Sequence, residues 1–94
     1  MLPIGTVAEG LIGDRSYAVC NLEGQLFALD GRCPHAGGPI GQGRLEGDLV
    51  VCPWHEWAFH CSTGANDYDP NVKLGLFRVK MEGGEILLDP ESYA

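Results

Sequence analysis

Gly31-Arg32-Cys33-Pro34-His35-Ala36-Gly37-Gly38-Pro39 and, after sixteen residues between His35 and the next cysteine, Cys52-Pro53-Trp54-His55-Glu56 decide how this chain reads. Each stretch holds one cysteine and one histidine in a short bend, so together they offer two thiolates and two imidazoles. A two-iron cluster with cysteines on one iron and histidines on the other needs that set, one Cys and one His from each of two loops. Pro34 and Pro53 stiffen the bends directly after the cysteines. Gly37 and Gly38 let the backbone pass close to a bulky group with no side chain in the way. The competing reading of the same four residues is a two-Cys, two-His zinc site, stabilising but redox-silent.

Position by position, Cys33, His35, Cys52 and His55 resemble the ligand pattern of the Rieske family: Cys-x-His, a spacer of fifteen to seventeen residues, then Cys-x-x-His. Gly31-Arg32, Gly37, Gly38, Pro39, the stretch 41–48, Phe59 and Thr63-Gly64 extend the resemblance over roughly residues 16–88. It implies one [2Fe-2S] cluster per chain, with Cys33 and Cys52 on the inner iron and His35 and His55 on the outer, solvent-facing iron. An added electron would then reside at the histidine end and leave through the imidazole edges. The resemblance also implies an all-β fold, a Rieske-like antiparallel β-sandwich or barrel. Residues 1–94 would form a single domain whose base comes from the chain's ends, with a cluster-binding subdomain, about residues 31–64, inserted between them. Many members have a further strand before the segment that matches residues 2–5, which leaves open how the first edge of the base sheet is protected here.

Outside the motif the residues support short strands on their own account. Segments 16–22 and 25–30 alternate in polarity and meet at Glu23-Gly24, a hairpin turn. Segment 49–52 follows the Gly47-Asp48 turn and delivers the second loop, and 57–60 leaves that loop and ends at Ser62-Thr63-Gly64. A second hairpin joins 76–81 to 85–88 about Gly83-Gly84. Apolar residues do not recur at three- and four-residue spacing over any useful window, which excludes a long amphipathic helix. With 94 residues the chain buries only about two-thirds of its unfolded surface. Metal binding that occurs only in the folded state then adds directly to a small core.

Departures from the high-potential members of the family bear on the redox level. Those members carry an extra cysteine in each loop and join the two as a disulfide; Gly38 and Trp54 stand at the matching positions. They also place serine and tyrosine hydroxyls toward the cluster, where Trp57 and Phe59 stand here. Losing two donors worth about 1 kcal/mol each lowers the midpoint by roughly 100 mV. Glu56, beside His55, disfavours added negative charge in the same direction. The expected potential lies near the bottom of the family's range, around -150 mV, which suits oxygen-activating or reductive enzymes better than quinol oxidation.

The implied role is a soluble one-electron carrier and not an enzyme in its own right, with a flavoprotein reductase as donor and a terminal oxygenase as acceptor. The alternative is a Rieske-like small subunit of a reductase such as an assimilatory nitrite reductase. An oxygenase large subunit would need a second iron on two histidines and a carboxylate, and His60 is the one histidine left. A net charge of -7 favours basic protein partners over nucleic acid or anionic lipid. A monomer that forms transient complexes around His35 and His55 is expected. Glu46, Asp48, Glu56, Asp67 and Asp69 form a docking face or are merely solvated, and His60 reads as a surface side chain. Trp54 and Trp57 shield the cluster or simply pack, and Pro70 belongs to a covering third loop or to a plain turn after Asp69. Cys20 and Cys61 are free thiols, with Cys20 filling space in a strand, or a bridge between them. No apolar run approaches the ~20 residues of a membrane span. Residues 1–5 lack the basic start and apolar stretch of a secretion signal, so a cytoplasmic, reducing location is the default.

Overall fold

The computed structural model describes residues 2–34, 37–54 and 56–92. Among them are eight strands: β1 (Val7–Ile12), β2 (Arg15–Leu22), β3 (Gln25–Asp30), β4 (Arg44–Glu46), β5 (Leu49–Val51), β6 (Ala58–His60), β7 (Leu76–Glu82) and β8 (Glu85–Asp89). One 3-10 turn, Ile40–Gln42, precedes β4. The strands form a five-stranded sheet in the order β1-β2-β3-β7-β8 and a three-stranded sheet, β4-β5-β6, with every pair antiparallel. The fold is thus all-β, with the small sheet inserted between β3 and β7. No helix among the described residues is long and apolar enough to cross a membrane.

Turn chemistry sets the registers. Glu23 (φ 53°) and Gly24 (φ 95°), and likewise Gly83 (φ 60°) and Gly84 (φ 83°), put positive φ at both central positions, the requirement of a two-residue I′ hairpin. Gly13-Asp14 and Gly47-Asp48 have positive φ at the glycine alone, at 63° and 61°, the II′ pattern. Two strands lie outside the sequence expectation. Gly10 interrupts the alternation of β1, and β4 has too few residues to show a period. Expected segments 49–52 and 57–60 each overrun the strands by one residue, although the Cys52 N–H donates to the Trp57 carbonyl (2.7 Å) and so continues their pairing. β1 pairs along its whole length with β2, from Val7 opposite Cys20 to Ile12 opposite Arg15, and so covers that edge of β2.

β2 is buried on both faces, which is why its apolar run is nearly continuous. Tyr17 and Val19 join Leu2, Ala28 and Phe77 in one core, where the Tyr17 and Phe77 rings meet edge to face at 5.0 Å. Ala18 and Cys20 join Leu29, Ile40, Val50, Phe59 and Leu74 in a second core between the two sheets. Each buried Val, Leu or Phe is worth about 1.5–3 kcal/mol, so this second core fastens the small sheet to the large one. The exit from β3 is held firmly. Asp30 accepts the Gly75 N–H at Oδ2 (3.0 Å) and the Arg15 guanidinium at Oδ1 (3.3 Å), and a Cβ on Gly31 would meet Ser16 at 2.5 Å.

Candidate metal centre

Both cysteine loops close in the same way. In the first, the Cys33 N–H donates to the Gly38 carbonyl (2.9 Å) and the Gly37 N–H to the Cys33 carbonyl (2.7 Å), with Gly37 left-handed at φ 72°. In the second, the Cys52 N–H donates to the Trp57 carbonyl (2.7 Å), with Glu56 left-handed at φ 57°. Counted from its cysteine, each loop therefore has its left-handed residue at the fourth following position and its acceptor at the fifth. Arg32 bridges Pro39 at the base of the first loop, and β5 and β6 carry the second.

The loops converge. Cys33 and Cys52 are buried, and their thiols are hydrogen-bond partners. Burial pushes the Cys52 thiol up from its ordinary range, as do the charge and hydrogen bond of Cys33; the Trp54 backbone N–H, donating to the sulfur, acts the other way. A Cβ on Gly38 would lie 2.7 Å from Cys52 Sγ and 3.0 Å from Trp54 Cβ, so only glycine lets the first loop lie against the second. Two adjacent buried thiols, one already receiving an N–H, behind a close approach free of side chain are a donor set that fits one iron of a two-iron cluster. His35 and His55 lie outside the described residues. Among the described residues no three or more His, Cys, Asp or Glu side chains form a metal-holding group.

Around the second loop the charges are mostly paired. Arg44, on β4, reaches Glu46 and lies 3.6 Å from Glu56, so the carboxylate expected to bear on the centre has a cation beside it. His60 is partly exposed, with Nδ1 4.0 Å from Asp48 and Nε2 3.4 Å from Asp67. The Asp69 carbonyl accepts the Val72 N–H (3.0 Å) across Pro70 and Asn71, so Pro70 sits in a turn. That turn belongs to a segment facing the second loop, and a groove of about 550 Å3 between them is lined by Glu56, Trp57, Asp67, Tyr68 and Asp69. Trp54 is half exposed, whereas Trp57 is partly buried against the inter-sheet core. Cys20 and Cys61 are free and fully buried. Arg44 and Asn66 escaped the sequence reading. Asn66 is buried, accepts the Tyr68 and Asp69 N–H groups and donates to the Ala58 carbonyl, which ties the turn segment to β6. Its Asn-Asp-Tyr-Asp-Pro context was the available signal, since Asn often bonds its own backbone at turns.

The Rieske [2Fe-2S] domain model matches residues 2–80. The ferredoxin component of biphenyl 2,3-dioxygenase from Rhodococcus jostii is 41% identical over 81 residues, covering 84% of this chain and 75% of its own length. Across three such relatives the chain spans 66%, 76% and 75% of their length. Among solved structures, a chain in the complex of reduced oxygenase and oxidized ferredoxin of carbazole 1,9a-dioxygenase superposes with a TM-score of 0.82 at 31% identity, covering 94% of this chain and 92% of that one. A nitrite reductase small subunit from Mycobacterium tuberculosis superposes at 0.77 with 21% identity over 90% of this chain and 81% of that one, a likeness of fold.

Proposed function

This chain belongs to the Rieske [2Fe-2S] domain family, and on that footing we propose that it is a one-electron carrier passing electrons from a flavoprotein reductase to a terminal oxygenase. The cofactor is a [2Fe-2S] cluster. Its ligands in this reading are Cys33 and Cys52 on one iron and His35 and His55 on the other. The observation that carries the assignment is the pair of buried thiols delivered side by side by two loops that share one closing bond, from the cysteine N–H to the fifth following carbonyl. Residues 31–64 serve as the cluster-binding subdomain of a single domain, a division supported by the insertion of β4-β5-β6 between β3 and β7.

When bound, the cluster supplies a one-electron couple. The chain's own contribution is positional. Cys33 and Cys52 anchor from within the core, the Trp54 N–H stabilises negative charge on Cys52 sulfur, and Gly38 keeps the space between the loops clear. Trp57 and the fully buried Phe59 bring no hydroxyl to the centre, which supports a low midpoint, around -150 mV. Arg44 offsets part of the field of Glu56, so the missing hydroxyls are the stronger support.

Partners dock transiently to a monomer at the loop tips, and the net charge of -7 favours basic ones. Cys20 and Cys61, unbridged beside the two ligand cysteines, suit a reducing, cytoplasmic compartment. The test is anaerobic stopped-flow reduction by a flavoprotein reductase with NADH, followed by mixing with an oxidised oxygenase. Transfer in both steps at catalytic rates is the expected result. A cluster that dithionite reduces but that no such pair reduces or oxidises would sink the carrier role. The nitrite reductase alternative rests on likeness of fold alone, whereas relatives at 35% and 41% identity are ferredoxin components.

A further inference from the structure

The segment 66–72 faces the second cysteine loop on a fixed footing. Asn66 is buried; its Oδ1 accepts the Tyr68 N–H (2.9 Å) and the Asp69 N–H (2.8 Å), and its Nδ2 donates to the Ala58 carbonyl (3.2 Å). The Asp67 N–H donates to that same carbonyl (2.9 Å) and the Asn66 N–H to the Val72 carbonyl (2.8 Å). Tyr68 is nevertheless 97% exposed, more than any other large hydrophobic side chain among the described residues. A tyrosine held in water by so constrained a turn needs little further ordering when a partner covers it, which is the character of an interface anchor. The groove of about 550 Å3 beside it has a carbon lining from Trp57, Ala58 and Val72 and an acidic rim of Glu56, Asp67 and Asp69. The rim is unevenly balanced. Glu56 has Arg44 at 3.6 Å, and Asp67 has His60 Nε2 at 3.4 Å. Asp69 forms no ion pair among the described residues; its Oδ1 accepts the Asn71 N–H (3.0 Å), which leaves the carboxylate's charge uncompensated.

We propose that this groove seats an arginine side chain presented by the oxygenase that takes the electron, an inference that rests on the carrier role above. Each part of such a side chain finds its match. The methylene stem lies along Trp57, Ala58 and Val72, the guanidinium plane stacks on the Tyr68 ring, and the N–H fork meets the Asp69 carboxylate. A lysine ammonium would answer the charge without the stacking or the fork. Charge also selects the acceptor over the donor. Reduction adds one negative charge at a centre whose second loop, through Glu56, forms one wall of the groove, so a partner cation seated there holds the reduced carrier more tightly than the oxidised one. An acceptor gains from that order, because it captures the loaded form and releases the spent one. A reductase with the same cation would retain its own product.

Binding and transfer, measured separately on the cluster-loaded protein, test this. Asp69→Asn keeps an oxygen for the Asn71 N–H and loses only charge, and Tyr68→Ala removes a side chain that already stands in water, so both variants should melt like the parent. Glu85, at the turn end of β7 and β8 and remote from the β3 exit into the first loop, is the control: Glu85→Gln makes the same change in net charge as Asp69→Asn. Calorimetric titration with the oxygenase that serves as acceptor in the transfer assay should show Kd raised about fivefold or more in Asp69→Asn and in Tyr68→Ala, the usual result of truncating an anchor, and little changed in Glu85→Gln. The limiting rate of electron transfer in stopped flow should stay the same, and the wild-type complex should be tighter reduced than oxidised. N-acetylarginine amide should compete with the oxygenase better than N-acetyllysine amide at equal ionic strength, and Asp69→Asn should erase the difference. Equal weakening by all three substitutions would mean diffuse charge attraction and overturn the proposal. Unchanged affinity in Asp69→Asn and Tyr68→Ala, while the wild type transfers normally, would overturn it and leave the carrier role standing. A reductase complex weakened more than the oxygenase complex would overturn the choice of acceptor. A wild type that no oxygenase oxidises would bring down the carrier role first, and the proposal with it.

Discussion

Replacing Gly38 by alanine tests whether the two loops share their space as the geometry requires. The added Cβ would sit 2.7 Å from Cys52 Sγ and 3.0 and 3.1 Å from Trp54 Cβ and Cγ. Carbon contacts are comfortable at 3.5–4.0 Å, so the sulfur must retreat by about 1 Å. A functional constellation tolerates about 0.5 Å, half of that displacement. Overpacking of this kind costs about 1–3 kcal/mol, and in a domain of this size each kcal/mol lowers Tm by about 4–8 °C. Gly38 is not left-handed, so backbone strain adds nothing to the effect. Gly37 is the control: at φ 72° an alanine is strained, but its Cβ meets nothing within 4 Å. Gly37→Ala should lose about 1–2 kcal/mol of stability and keep its metal. Gly38→Ala should lose comparable stability and also bind substoichiometric iron and sulfide, with a weakened visible spectrum. Iron and sulfide analysis beside thermal melts of both variants is the assay. Full cluster content in Gly38→Ala would refute the reasoning.

Four further outcomes follow from other contacts. Asp30→Ala strips the Gly75 N–H and Arg15 of their acceptor and should cost about 1–3 kcal/mol in urea unfolding, with cluster content per folded chain unchanged. Gly64→Ala combines φ 77° with a Cβ directed at the Leu74 carbonyl oxygen, so it should be far more destabilising than Gly24→Ala, where φ is 95° but nothing lies within 4 Å; melting both variants checks the order. Glu56→Gln should raise the midpoint by about tens of millivolts and Arg44→Gln should lower it, both effects shrinking in high salt; voltammetry that finds the same sign for both would contradict the pairing. Removing iron and sulfide should speed amide exchange at Cys33 and Cys52, whose N–H bonds close the loops, and leave the amides of β2 protected.

The hairpins were legible because each turn carries glycine where positive φ is needed: Glu23-Gly24 and Gly83-Gly84 fix four of the five strands of the large sheet in pairs. β1 had a signal as well, Gly13-Asp14, but Gly10 breaks the alternation on which the reading leaned. Cys33 and Cys52, which the structure brings together, stood out because each lies in a motif local to its own loop. Pairings between distant segments did not. The ion pair of Arg44 with Glu56 depends on register and on which faces meet, and a one-residue slip of β4 would send Arg44 to the opposite face. The close fit at Gly38 is of the same kind: the sequence marks a glycine, and only the packed structure says which sulfur it makes room for.

The shared closure of the loops explains why their sequences differ as they do. With the same backbone bond from each cysteine to the fifth following carbonyl, the two loops could carry similar residues, yet the closing position is Gly38 in one and Trp57 in the other. Gly38 lies under Cys52 and Trp54, where even a methyl group collides, whereas Trp57 turns into the inter-sheet core and helps fasten the small sheet. At the left-handed position the first loop has glycine and the second a glutamate at φ 57°, a conformation that costs a non-glycine residue about 1–2 kcal/mol. That strain persists only where surrounding structure over-determines it. Here the Cys52–Trp57 bond, the partly buried Trp57 ring and Arg44 beside the carboxylate supply the constraint. The second loop is therefore the one held by its neighbours, and the first is the one that yields space to it.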